Sequence, residues 1–341
     1  MRQLVFVGPG RVEWQEAPEP RIGGELEAVV EPLAVATCDL DVALLRGTVN
    51  LFPGPFPLGH ECVARVIDVG AAVRTVSSGD LAVVPFQISC GICKSCEAGH
   101  TGNCTSVPQG SMYGLAPFGG EWGGFLADRI RVPYADAMLV RLEPGIDPLA
   151  VASASDNIPD AWRTVGPPLK ELPGSEVLIV AGGGSVPLYA VELAVALGSE
   201  AVHYVDDAPD RLALAEGLGA IAVEGPVPRK LGPFHVTVDA SMSKDGLGCA
   251  IRSTAPDGIC TSIGIYQQDT PLPLSTMYLN VITFRTGRTH ARPAIPDVLD
   301  LVASARIHPG RVTSAVVGWE GASQALADPP MKLVITREQP S

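Results

Sequence analysis

Four cysteines, Cys90, Cys93, Cys96 and Cys104, lie within the stretch "SCGICKSCEAGHTGNC" at spacings of three, three and eight residues. Four thiolates so close in sequence can reach one ion from a single loop, and tetrahedral zinc bound by four sulfurs is the usual closed structural site. Gly91, Gly99 and Gly102 allow that loop to wrap tightly. Two disulfides or four unconnected thiols fit clustered cysteines of a reducing compartment less well. Iron–sulfur runs usually carry other spacings and a following proline. A closed site has no position for substrate, so its expected role is to brace a loop.

A second, dispersed set could do chemistry: Cys38, His60, Glu61 and, in "ASDNIPDAW", Asp156. Each has an ordinary explanation by itself. Cys38 is a small residue that a core accommodates, His60 could be a satisfied core histidine, and Asp156 could cap a helix.

A third feature is the turn "VLIVAGGGSVPLYAVELA", with Gly182-x-Gly184 followed by Pro187 where a third glycine or alanine is usual. It ends an apolar strand and opens a helix, the context that gives such a turn weight. Gly182, Gly183, Gly184, Ser185 and Val186 would bring backbone amides to a pyrophosphate at the helix N-terminus. Proline is acceptable in a first helical turn, where its missing N–H is unpaired anyway. Asp206 closes the next strand, "AVHYVDD", where an acid accepts from both ribose hydroxyls and repels a 2′-phosphate. NAD(H) is therefore favoured over NADP(H), although Asp206 could equally be a turn residue. Arg211 is placed either to pair with Asp206 or to lie near the adenine.

The elements that must position these residues change character along the chain. Through about residue 150 the sequence is rich in Pro and Gly, with alternating stretches such as "EAVVE" and "ECVARVIDVG" that predict strands of a partly barrel-like domain. From Ser175 onward, apolar strands alternate with helical stretches, which predicts a doubly wound parallel sheet. The helix "PAIPDVLDLVASARI" and the strand "MKLVI" are expected to rejoin the first domain. The chain has 341 residues, enough for two domains, and 46% of them are hydrophobic, so a full core is expected. A formal charge of −13 disfavours a nucleic-acid partner. No apolar run reaches membrane-span length, and "MRQLVFVGPGRVEW" lacks the pattern of a secretion signal. These features predict a cytoplasmic protein without membrane contact.

Taken in order, C-x-x-D at Cys38 to Asp41, GHE ending at Glu61, the four-cysteine loop, S-D-x-x-P around Asp156 and the glycine-rich turn resemble the zinc-dependent medium-chain alcohol dehydrogenase family over essentially the whole chain. The resemblance implies an α/β protein: a GroES-like β-rich catalytic domain over 1–150, completed by 290–341, and a Rossmann domain over 151–289. It implies a catalytic zinc held by Cys38, His60 and Asp156, with Glu61 able to swing in, Asp41 orienting His60, and a fourth position open for substrate. With the four-cysteine ion this makes two zinc ions per chain. Gly264 and the segment from Arg285 to Pro293 would border the cofactor, substrate would enter between the domains, and a homodimer or homotetramer is expected.

The family usually moves the substrate proton through Ser or Thr two residues after the zinc cysteine, and often through a histidine five after it. Here those positions hold Leu40 and Ala43, which cannot transfer a proton. Three readings stay open for an enzyme. A zinc-bound water, Glu61 or Asp39 could replace the relay. The substrate could be an iminium or an α,β-unsaturated carbonyl that needs no proton at oxygen. The substrate could also carry its own acid. A non-catalytic NAD(H)-binding protein is the alternative from another class. The loops "GTVNLFPGPFP" and "QGSMYGLAPFGGEWGG" would shape the substrate pocket but specify no ligand.

Overall fold

A computed structural model describes residues 1–49, 53–115 and 120–337. Parts of the two loops expected to shape the pocket, residues 50–52 and 116–119, lie outside the described residues. The chain divides into two compact units, Met1–Pro159 with His290–Ser341, and Asp160–Thr289. The first boundary thus falls later than 150. Residues 152–155 form a 3-10 turn stitched to the first unit, where Ser155 Oγ accepts from Cys62 N (2.7 Å) and donates to Cys62 O (2.9 Å).

The larger sheet of the first unit runs, in space, Ala315–Gly318, Leu333–Thr336, Ala28–Ala36, Glu61–Val69, Leu81–Val84, Val140–Arg141, with Ile130–Val132 also paired to Ala28–Ala36. Ala28–Ala36 is its central strand, and eight of its nine residues are buried. Pro32 cannot donate to a ladder, and it sits where the register with Glu61–Val69 shifts, the usual place for proline inside a sheet. Beyond that irregularity Ala36 faces Glu61 on one side and Val334 on the other. Because both pairings are antiparallel, the chain leaving Ala36, the chain entering Glu61 and the chain entering Leu333 meet at one end of the sheet. A three-stranded sheet, Arg11–Glu16, Arg2–Gly8 and Phe56–Pro57, completes the unit's β structure.

The second unit holds six parallel strands ordered Ile221–Glu224, Val202–Asp206, Val177–Ala181, Phe234–Ala240, Thr254–Ser262, Thr283–Thr286. The order reverses between Val177–Ala181 and Phe234–Ala240, the switch point at which such sheets open a crevice at the carboxyl ends of the strands. Val177–Ala181 is buried throughout, as a strand covered on both faces must be. The fifth of these strands spans Thr254–Ser262. It absorbs Asp257 in the left-handed region (φ 59°), held by a hydrogen bond from its N–H to Asn280 O (2.8 Å), with a register shift against the neighbouring strand. Among the described residues no helix is long and apolar enough to cross a membrane.

Candidate metal and nucleotide sites

Cys38 follows the central strand and caps the helix Asp39–Leu45. Its Sγ accepts from Leu40 N (3.2 Å), and its own N–H donates to Asp41 Oδ2 (3.0 Å), a reciprocal capping box built from Cys and Asp. His60 enters from the adjacent strand. Its Nδ1 lies 3.4 Å from Asp41 Oδ1, and its Nε2 lies 3.4 Å from Asp156 Oδ2. The ligand atoms offered by Cys38, Asp41 and His60 all fall within 4.8 Å of one another.

Burial governs the electrostatics here. It pushes the Cys38 thiol up to about 12, and the nearby imidazole opposes that rise only in part. Burial also lifts Asp41 despite His60 and the Cys38 amide. For His60 burial acts downward, yet the charges of Asp41 and Cys38, with the Asp156 hydrogen bond, raise it well above the ordinary imidazole value. Asp41 Oδ1 and His60 Nδ1 are both buried and have no hydrogen-bond partner among the described residues. A carboxylate facing one ring nitrogen while the other faces a thiol and a second carboxylate is the arrangement that fixes the tautomer of a metal-binding histidine. The donor set of thiolate, imidazole and carboxylate suits zinc, with three protein ligands and one place to spare. Asp41 serves better as orienter than as ligand, since Oδ2 is occupied by Cys38 N and Oδ1 is turned to Nδ1.

The Glu61 carboxylate accepts from Lys332 Nζ (2.7 Å), Ser153 Oγ (2.8 Å) and Asn157 N (2.8 Å), so both of its oxygens are hydrogen-bonded. Burial lifts the carboxyl, and Lys332 pulls it back down.

The four cysteines converge as the spacing predicts, with sulfurs within 4.8 Å of one another. They are not disulfide-bonded: Cys93 Sγ and Cys104 Sγ stand 4.0 Å apart. Gly91 (φ 77°) and Gly99 (φ 80°) take left-handed conformations around the short helix Lys94–Glu97. Backbone N–H groups of Thr105 and Cys96 bring the Cys93 thiol down to about 5, whereas burial raises Cys96 to about 12. Four sulfurs gathered this closely on one loop fit a closed tetrasulfur zinc site.

In the second unit Gly182, Gly183, Gly184 and Ser185 join Val177–Ala181 to the helix Val186–Ala196. A Cβ on Gly182 would stand 2.3 Å from Ser241 O, which follows the strand across the switch point, so only glycine lets these backbones approach. Gly183 (φ 114°) and Gly184 (φ 79°) make the turn itself. Pro187 occupies the helix's first turn without disturbing it.

Residues 24–143 match the alcohol dehydrogenase GroES-like domain. A probable zinc-binding alcohol dehydrogenase of Mycobacterium tuberculosis is 28% identical over 96% of this chain and 85% of its own length. A medium-chain reductase/dehydrogenase of an Acremonium species is 30% identical over 82% of this chain and 98% of its own. The structure of alcohol dehydrogenase TADH from Thermus sp. ATN1 superposes with a TM-score of 0.89 at 30% identity, covering 98% of this chain and 99% of that one. The chain belongs to the zinc-dependent medium-chain dehydrogenase/reductase family.

Asp206 ends its strand as expected, but its carboxylate is saturated. It accepts from Arg211 Nε (2.8 Å) and Nη2 (2.6 Å), Tyr204 OH (3.0 Å), and the N–H groups of Asp207 (2.8 Å) and Ala208 (3.0 Å). Gly264 follows Thr254–Ser262, where a Cβ would meet the Tyr266 ring at 2.6 Å. Arg285 lies on the edge strand, three places from Val177–Ala181, and its guanidinium is held by Glu171 (2.7 and 2.9 Å). Two participants escaped the sequence reading, Lys332 and Ser153. Only the position of Lys332 at the start of "MKLVI" hinted at the first.

Burial alone would raise the Asp206 carboxyl, but Arg211, the Ala208 N–H and the Tyr204 hydroxyl outweigh it and hold it below the ordinary carboxylate value. A depressed folded value contributes stability that is present above the unfolded value of about 3.9 and lost as pH falls through the folded one. Arg211→Ala is expected to cost about 1–3 kcal/mol at neutral pH. In urea unfolding followed from neutral to acid pH, the gap to the unsubstituted protein should close below that range; a constant gap would show that the charge pair is not its source.

Proposed function

We propose that this protein is a zinc-dependent oxidoreductase that moves a hydride between NAD(H) and an alcohol or carbonyl carbon, without the usual side-chain proton relay. The observation that carries this reading is the clustering of Cys38, Asp41 and His60, with Asp156 Oδ2 3.4 Å from the other imidazole nitrogen. Bound there, zinc would polarise the reacting oxygen while the nicotinamide supplies or accepts the hydride.

The chain's own groups account for the rest. Asp41 fixes the imidazole so that Nε2 faces the reacting side. The N–H of Leu40 donates to the Cys38 sulfur and favours its thiolate. Gly182, Gly183 and Gly184 leave room for a pyrophosphate at the helix N-terminus. NAD(H) remains the favoured cofactor, with a smaller margin than a free acid would give, because Arg211 neutralises Asp206; the exposed carboxylate of Asp207 supplies the remaining negative charge.

Leu40 packs against the apolar cluster of the first unit. An alcohol's hydroxyl proton must therefore leave by another group, Asp39 or solvent being nearest in sequence. The same apolar contact supports a second reading, reduction of an iminium or an α,β-unsaturated carbonyl, where no proton is needed at oxygen. Eight free cysteines fit a reducing, cytoplasmic setting. A homodimer is the proposed assembly. Its support is the helix Leu274–Leu279, which buries none of its residues and exposes Leu274, Tyr278 and Leu279 beside the edge strand Thr283–Thr286.

Purified protein should contain about two zinc ions per chain and consume NADH faster than NADPH with carbonyl or iminium substrates. Binding of NADH with no turnover on any member of such a panel would favour a binding protein. Leu40→Thr is expected to raise kcat on simple alcohols by roughly tenfold, the lower end of general acid–base assistance; an unchanged kcat rejects a missing relay as the limit. Sedimentation should give at least a dimer mass, reduced to the monomer by Tyr278→Glu with Leu279→Glu, and a monomeric parent protein rejects the assembly.

A further inference from the structure

Lys332 is fully buried, as is Glu61, and the two are joined at 2.7 Å. Lysine is almost never found so deep unless paired. The partners of this pair are distributed in a telling way. Lys332 Nζ also donates to Thr37 O (2.6 Å), the carbonyl immediately before Cys38. Glu61 is itself the residue immediately after His60, and it accepts from the N–H of Asn157, the residue immediately after Asp156. Ser153, in the turn that delivers Asp156, donates to the same carboxylate. Each of the three segments carrying a proposed zinc ligand is thus gripped, next to its ligand, by one ammonium–carboxylate pair. Further bonds bring the strand of Lys332 itself into register: Thr37 N donates to Leu333 O (2.9 Å) and Leu333 N to Thr37 Oγ1 (3.0 Å).

We infer that Lys332 is a positioning residue for the catalytic metal, acting through Glu61 and Thr37 to hold Cys38, His60 and Asp156 at one spacing. Neither Lys332 nor Glu61 touches the reacting atoms. The three ligands lie far apart in sequence and end on a helix cap, a strand start and a turn; the Ala36–Glu61 pairing and the Ser155–Cys62 bonds join these segments two at a time, and the ion pair spans all three. The pair does so in a dry environment, where a charge-assisted hydrogen bond is short, strong and directional. This inference rests on the reading that these three residues bind zinc.

The test uses full-length protein loaded with zinc, and with cobalt(II) in place of the catalytic ion. Removing Lys332 alone strands a buried carboxylate and could prevent folding. The informative variant is therefore Lys332→Met with Glu61→Gln, which leaves no unpaired charge, together with Lys332→Arg as the conservative replacement. The four-cysteine ion serves as an internal control. Loss of the catalytic ion to a chelator should speed up about 10- to 100-fold in the double variant, the range typical of groups that orient metal ligands. The cobalt d–d bands should shift, the four-cysteine ion should be retained, and Lys332→Arg should restore both readouts most of the way. If the double variant does not fold, Ser153→Ala, which removes a single contact to Glu61, should give a smaller change in the same direction. Unchanged release rates and an unchanged cobalt spectrum in a folded variant overturn the inference. A parent protein that binds only the four-cysteine ion overturns instead the reading on which it rests.

Discussion

The proposed metal site depends on one pairing: Ala36 opposite Glu61, in a strand that also pairs Ala36 with Val334. Side chains alternate with a period of two along a strand, so a slip of one residue would turn every side chain to the other face. Such a slip would carry Glu61 out of reach of Lys332 and His60 out of reach of Cys38. The register shift at Pro32 matters for the same reason. It absorbs the residue that cannot join the ladder, so the pairing is regular again by the time the chain reaches Ala34. Eight of the nine residues of Ala28–Ala36 and the first four of Glu61–Val69 are buried, so both strands are packed on both faces and a slip would force that packing to be rebuilt.

Within that frame the buried ion pair has a cost of its own. Bringing an ammonium and a carboxylate out of water loses several kcal/mol of hydration per ion, and attraction alone often fails to recover it. Here the balance is helped by filling the remaining hydrogen-bonding capacity. Glu61 accepts from three donors, and Lys332 reaches a carbonyl as well as its partner. A hydrophobic pair of equal volume would have been a simpler way to stabilise a strand start. What an apolar pair could not do is bind a carbonyl on one segment and an amide and a hydroxyl on another at fixed distances. The charge is retained for direction rather than for stability.

Sequence legibility follows the range of each interaction. The four-cysteine loop and the glycine turn are local: their geometry is written in a few adjacent residues, and the structure agrees with it. The ligand trio is not local. Cys38, His60 and Asp156 have ordinary explanations when taken singly, and only the resemblance to a family brought them together. Lys332 was invisible, since a lysine beginning a strand reads as a solvated surface group until its burial is known. Asp206 was recognised and its pairing with Arg211 was one of two expectations, but not that Tyr204 and two backbone N–H groups also fill its oxygens, because a carboxylate's satisfaction depends on the turn that follows it.

The leucine at position 40 resolves into two parts with different duties. Its N–H donates to the Cys38 sulfur and closes the first turn of the helix, a duty any residue other than proline performs equally well. Its side chain joins the apolar cluster instead. The thiolate's support and the proton relay were thus never the same atoms, although both belong to one residue. That separation explains how a chain can keep a capped cysteine, an oriented imidazole and a nearby carboxylate while carrying no hydroxyl beside them. The metal pocket needs the backbone of residue 40, and only the choice of substrate and the route of the proton depend on what that backbone carries.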